Sequence, residues 1–258
     1  MTDTKIDLPV ILANHALWLE GNGGCRADFT GADLTGADFS WADLRRANLT
    51  EANLTEANLT EAILIQAILT KANLTEANLT GACLVGVDLT RAILTRANLT
   101  RADLTEAILT DAILTRANLT RAILTEAILT EAILTDADLT GACLVGVDFT
   151  RADLTDANLT DVDLTEAILT RAILTRVNLT DADLIDGGER NDDYRFVGQI
   201  RKGVLWIHAG CRYFPISDAR AHWETTRGGT PLGDETTAIL DRIEAVARIQ
   251  GMIQKDKT

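Results

Sequence analysis

The sequence predicts a mainly β protein whose long central tract winds as a solenoid, and three observations predict it. Leu or Phe stands at every fifth position from Phe29 to Leu184, 32 consecutive units without an insertion. Ala stands two residues before each, replaced only by Val87, Val147, Val162 and Val177. Pro is absent between residues 10 and 214, and aromatic residues make up only 4 % of the 258-residue chain. A helix needs a period of 3.6 and a plain strand a period of 2, so a strict period of five fits neither. A chain that turns a corner every five residues satisfies it: Ala and Leu, two apart, both point inward from a short extended segment. The other three positions make the corner and face out. Thr follows the Leu in nearly every unit, and Gly recurs one place later; both suit corners, by hydroxyl-to-backbone bonds and by tolerance of positive φ. Without Pro, every backbone N–H of the tract remains available for pairing.

The formal charge of −14 sits in this tract, where 25 acidic and 11 basic side chains lie between Asp28 and Asp186. That balance argues against direct binding of nucleic acid or of an anionic membrane surface. The four cysteines, Cys25, Cys83, Cys143 and Cys211, form no CxxC pair. No run reaches the ~18 apolar residues needed to span a bilayer, and the apolar stretch Pro9 to Leu19 lacks a signal peptide's basic flank and cleavage site. Asn-Leu-Thr occurs nine times as a by-product of the repeat. A reducing cytoplasm is the expected location.

Units such as A-D-L-T-G, A-N-L-T-E and A-D-F-S-W resemble the pentapeptide-repeat family, and the resemblance runs from Ala27 to Asp186. It implies a right-handed, four-sided β-helix with four units per coil, hence about eight coils. At ~4.8 Å between paired strands this makes a rod about 38 Å long. With four units per coil, the residues just before each Leu fall into four columns. One is polar throughout: Asp38, Asn58, Asn78, Asn98, Asn118, Asp138, Asn158 and Asn178. Ten isoleucines occupy the other three. Ile93, Ile113 and Ile133 stack in one column, flanked on the neighbouring face by Ile108 and Ile128. Two readings stay open for these five residues: an apolar contact surface for a partner or a second copy, or stacked β-branched residues that support strand pairing locally. The octet Gly81 to Asp88 recurs as Gly141 to Asp148, three coils on, so Cys83 and Cys143 share a face ~14 Å apart by strand spacing, too far for a disulfide.

Three domains are expected: a helical cap over 1–26, the solenoid over 27–186, and a small α+β unit over 187–258. Asp7 and Pro9 open a helix over 7–20, and Gly21, Gly23 and Gly24 end it. Trp18 is expected to pack on the first coil. His15 is read as a surface or packing residue. Beyond Gly187-Gly188, strands are expected over Tyr194–Ile200 and Val204–Ala209 around a turn at Arg201–Gly203. A helix follows over Ser217–Thr225 with Ser217 as N-cap, then a loop over Gly228–Pro231 and an amphipathic helix over Thr236–Gln250. This unit is suited to capping the rod, dimerising or docking a partner. His208, Cys211 and His222 match no zinc spacing and number three rather than four. Arg212, Arg220 and Trp223 read as an anion site or as salt bridges and core.

No catalytic set or phosphate-cradling loop is evident, and the acids lie on a convex surface rather than in a cleft. The expectation is therefore a non-enzymatic structural scaffold or protein-interaction module, without catalytic residues, metal site, cofactor or small-molecule substrate. The resemblance implies an alternative, because some pentapeptide-repeat proteins that protect DNA gyrase from quinolones are acidic, rod-shaped dimers resembling B-DNA. Here −14 over about 38 Å is one net charge per ~2.7 Å, against one per ~1.7 Å of duplex.

Overall fold

The computed structural model describes residues 7–249 apart from 183, 192–194, 202–203 and 210–211. The expected turn at 201–203, the start of the strand at Tyr194, the end of the last helix at Gln250 and Cys211 therefore fall wholly or partly outside the described residues.

The chain opens with α1 (Leu8–Leu19), whose N-cap Asp7 accepts the Val10 N–H at 3.3 Å. Its buried side sets Leu8, Ile11 and Leu12 against the solenoid core. His15 is fully buried there, and its Nδ1 accepts the Ala27 N–H at 3.0 Å. Thus His15 is a structural joint between cap and first coil. Trp18 stacks on His15 with ring centroids 5.5 Å apart.

From Asp28 to Asn178 each outward residue bridges in parallel to its counterpart four units on, as Asp28 does to Asn48, so four units close one coil of a right-handed, four-sided solenoid. The corner is a type II turn. In nearly every unit the Ala (or Val) N–H donates back to the Leu or Phe carbonyl of the preceding unit, as from Ala47 to Leu44 at 2.9 Å. The fifth residue between them has positive φ: from Gly31 to Asp181, 25 such residues are not glycine and only six are. A type II turn demands positive φ at its third position, where an L side chain is strained. Burial of the Ala and Leu columns, nearly complete through the middle coils, offsets that strain.

Four strands follow, β1 (Ile185–Glu189), β2 (Arg195–Arg201), β3 (Val204–Ala209) and β4 (Arg212–Pro215), in one antiparallel sheet of that order. Two helices complete the unit, α2 (Ile216–Arg227) and α3 (Pro231–Ile249). Alternation along β2 and β3 gives the sheet two buried faces. Phe196, Leu205, Ile207 and Ala209 join Ala219, Trp223, Leu240 and Ile243 of the helices in one core. Val197 instead joins the core of the solenoid. Gly198 lets α3 approach, since a Cβ there would stand 2.4 Å from the Ile243 side chain.

The structure corrects three expectations. Ser217 is not the N-cap of α2; Pro215 holds that place without a side-chain cap, and Ser217 lies in the first turn. The last helix begins at Pro231 rather than Thr236, because Thr230 Oγ1 accepts the Gly233 N–H at 3.1 Å and Pro231 suits a first helical position. Two strands, β1 and β4, went unforeseen, β1 because Gly187-Gly188 reads as a breaker rather than a strand interior.

Candidate interaction surface

Two positions of each unit vary in chemistry around the rod, the outward residue before each Leu and the fifth residue at the corner. Where the outward residue is Asp or Asn, its Oδ1 accepts from the Thr two residues on, as Asn98 does from the Thr100 N–H at 3.1 Å and the hydroxyl at 2.7 Å. Asn also donates to the hydroxyl one coil back: Asn78 to Thr60 at 2.9 Å, Asn158 to Thr140 at 2.8 Å. On the all-polar face these bonds form short ladders toward the two ends of the rod, at Asn58 and Asn78 and again at Asn158 and Asn178. The hydrogen bonds from Thr30 and Thr35 hold the Asp28 and Asp33 carboxyls below the usual carboxylate range. At Asp88 burial pushes upward, but bonds from Thr90 and Thr70 outweigh it and the net shift is downward. These aspartates keep their charge because the fold hydrogen-bonds it.

Isoleucine at the same position makes none of these bonds. Ile93 bridges Ile113, which bridges Ile133, and Ile108 bridges Ile128. The five sequence-predicted residues therefore form two adjacent columns across the corner that carries Asp111 and Glu131. Ile93, Ile108, Ile128 and Ile133 are 37–40 % exposed; Ile113 is half-buried between its neighbours. Sequence reasoning passed over three larger exposures on the solenoid. Ile123 is 42 % exposed. Ile173 reaches 47 %, and Trp41, with φ of 61°, reaches 73 %. The signal for Trp41 was present, since it is the fifth residue of its unit and must project from a corner.

Charge is distributed unevenly around the four corners. On two of them, acids and bases pair from coil to coil: Lys71 with Glu51, Arg96 with Glu76, Arg151 with Glu131 and Arg176 with Asp156, at 2.5–2.9 Å. These are exposed pairs worth little individually, but they cancel charge locally.

The C-terminal candidates do not come together as a site. His208 is buried against Tyr213, with ring centroids 4.1 Å apart, and burial pushes its imidazole down to about 3. His222 stacks on Phe214, and Cys211 lies outside the described residues. Arg220 pairs with Asp241 and Glu244 at 2.8 and 2.6 Å, Trp223 is buried, and Arg212 is exposed. A hollow of about 350 Å³ between α2 and α3 is lined by Arg220, Trp223, Glu224, Thr237 and Leu240. Cys83 and Cys143 are free thiols three rungs apart on one face. No helix among the described residues is long and apolar enough to cross a membrane.

The family model for pentapeptide repeats matches in eight copies over residues 25–51, 52–91, 72–111, 82–121, 112–151 and 152–186. Among solved structures, the plasmid-mediated fluoroquinolone resistance protein QnrB1 is 23 % identical with a TM-score of 0.49, covering 61 % of this chain and 86 % of its own. HetL, involved in heterocyst differentiation regulation in the cyanobacterium Nostoc sp. strain PCC 7120, is 32 % identical with a TM-score of 0.34, over 65 % and 89 %. Rfr23 from the cyanobacterium Cyanothece 51142 is 40 % identical with a TM-score of 0.34, over 37 % and 62 %. No curated protein matches the chain.

Proposed function

This chain belongs to the pentapeptide-repeat family, and from that premise we propose that it serves as a non-enzymatic scaffold that binds another protein through its isoleucine columns. The observation that carries the reading is the exposure of Ile93, Ile108, Ile128 and Ile133 on two adjacent faces of an otherwise hydrogen-bonded surface. Each isoleucine forgoes the bonds that Asn makes at the same position, as in Asn53 and Asn73 of the Ile93 column. A residue that gives up those bonds and remains exposed is better explained by what covers it than by the coil beneath. A scaffold asks only that such side chains be held at fixed spacing, and the bridged columns hold them.

The variant Ile113→Asn/Ile133→Asn tests this cleanly, because Asn restores the ladder while removing the apolar surface. Affinity capture from the source cell, followed by sedimentation velocity, is expected to show a partner or a second copy retained by the wild type and lost by the variant. Unchanged mass and capture would return the isoleucines to a purely local packing role.

A second reading, an acidic mimic of duplex DNA that binds a DNA-handling protein such as gyrase, is favoured by the face aspartates whose charge the threonine bonds preserve. The coil-to-coil ion pairs count against it by neutralising two corners. A supercoiling assay decides: inhibition or protection of gyrase at micromolar protein supports the mimic, and neither effect removes it.

A further inference from the structure

Beyond the first coil, one edge of the rod carries no basic residue, so its only charges through Glu166 are acidic. Of the tract's 11, Arg45 and Arg46 belong to the first coil, and the other nine stand on three corners. The fourth corner continues from Arg46 as Gln66, Gly86, Glu106, Glu126, Gly146 and Glu166. Neither face beside it carries a base at its outward positions. Glu106 and Glu126 are therefore without the coil-to-coil cation that their counterparts at Glu51, Glu76 and Glu131 enjoy. Apolar side chains flank Glu126 on both sides and Glu106 on one, with Asp103 on its other side. Ile123 is 42 % exposed on one face, and Ile108 and Ile128 lie exposed on the other. Asp88 and Asp148 bracket the Ile108–Ile128 pair in its own column, and their Oδ2 atoms accept from Thr70 and Thr130 one coil back.

We infer that the partner bound by this edge is a basic amphipathic segment of another protein, its apolar side chains on Ile108, Ile123 and Ile128 and its Lys or Arg side chains against Glu106 and Glu126. The inference rests on the reading of the isoleucines as a contact surface, and it names the partner's chemistry. Charge selects that chemistry. An acidic or neutral apolar segment would leave the carboxylates stripped of water and unpaired, which is costly, whereas a cationic one supplies the missing counter-charges and is drawn in by the unscreened field. A second copy of this chain carries Arg96, Arg101, Arg116 and Arg121, but around the all-polar Asn98–Asn118 face, which offers no isoleucine to meet Ile108 and Ile128.

The test uses the full chain and a fluorescein-labelled Leu/Lys amphipathic helix peptide of roughly 18 residues, read by anisotropy at low and high salt. Three double variants are compared with the wild type: Glu106→Gln/Glu126→Gln on the edge, Ile108→Asn/Ile128→Asn beside it, and Glu56→Gln/Asp136→Asn on the diagonally opposite corner. The first two are expected to weaken binding about tenfold and the third to leave it within about twofold. Equal loss in the two charge variants would mean a diffuse field rather than a site and would overturn the inference. If only the isoleucine variant weakens binding, the surface reading stands and the basic partner falls; if neither edge variant does, the inference falls. Absence of peptide binding at about 100 µM overturns the inference alone, since the surface reading is judged on its own captured partner.

Discussion

Within one Asp or Asn unit all five backbone N–H groups find acceptors. Leu54 N–H goes to Asn73 O of the next coil, Asn53 N–H to Ala32 O of the previous one, Glu56 N–H to Thr75 O, Ala57 N–H to Leu54 O across the corner, and Thr55 N–H to the Asn53 side chain. This accounting explains why Asp and Asn dominate the outward position and why Thr follows. The one conformational expense is the positive φ at the fifth residue, which Asn tolerates far better than Arg or Glu. Arg116, with φ of 59° and exposed, is a clear case. Arg116→Asn is expected to raise stability by about 1 kcal/mol, visible as a later midpoint in urea; no shift would mean that the corner is unstrained.

The C-terminal unit from β1 to α3, which caps the last coil through Val197 and Gln199, is where sequence and structure part furthest. The period of five set the inward Ala and Leu columns by counting, and the four units per coil implied by the family resemblance sorted the outward residues into four faces and aligned the five isoleucines. Counting could not reveal that β1 pairs with β2 across Gly187-Gly188, since a glycine pair weakens local strand preference, and only the packing of Ile243 on Gly187 and the positive φ of Gly188 show why those residues are glycine. Nor could it reveal how the last coil ends. In the interior, each Ala carbonyl accepts an N–H from the next coil; at the C-terminal end the Gln199 side-chain amide donates to Ala167 O at 3.0 Å and to Leu164 O at 3.2 Å. Beside it on the same sheet face lies His208, paired in register with Val197. Its folded pKa of about 3 lies below the unfolded 6.5, so the unfolded form takes up the proton first. Stability of the cap is full above pH 6.5 and is lost as pH falls toward 3, by about 1.4 kcal/mol per unit. The fluorescence of Trp206 and Trp223 is expected to report cap unfolding between pH 6 and 5 in marginal urea. His208→Gln removes that window, and identical acid profiles for the two proteins would refute the assignment.

Taken end to end, the rod has four sides of different character because every fourth unit returns the chain to the same side. Exposed isoleucines, paired corners and the edge of Glu106 and Glu126 are all columns, written at intervals of one coil. The candidate surface was partly readable for that reason: the isoleucine positions are arithmetic. The degree of exposure, the outlying Trp41, and which corners pair their charges required side chains placed in space.

The same regularity dictates how such a chain lengthens. Removing residues 109–128, one full turn, is expected to shorten the rod by about 4.8 Å and leave every downstream side chain facing as before. Removing only 109–113 should swing everything beyond it a quarter revolution, carrying Ile133 out of line with Ile93; small-angle scattering for length and cysteine crosslinking for azimuth distinguish the two. The octet Gly81–Asp88 and its copy Gly141–Asp148 are separated by a whole number of turns, Cys83 reaching Cys143 through the bridged Asp103 and Ile123. Copying in that step adds reach while conserving every side, so length and surface can be inherited independently.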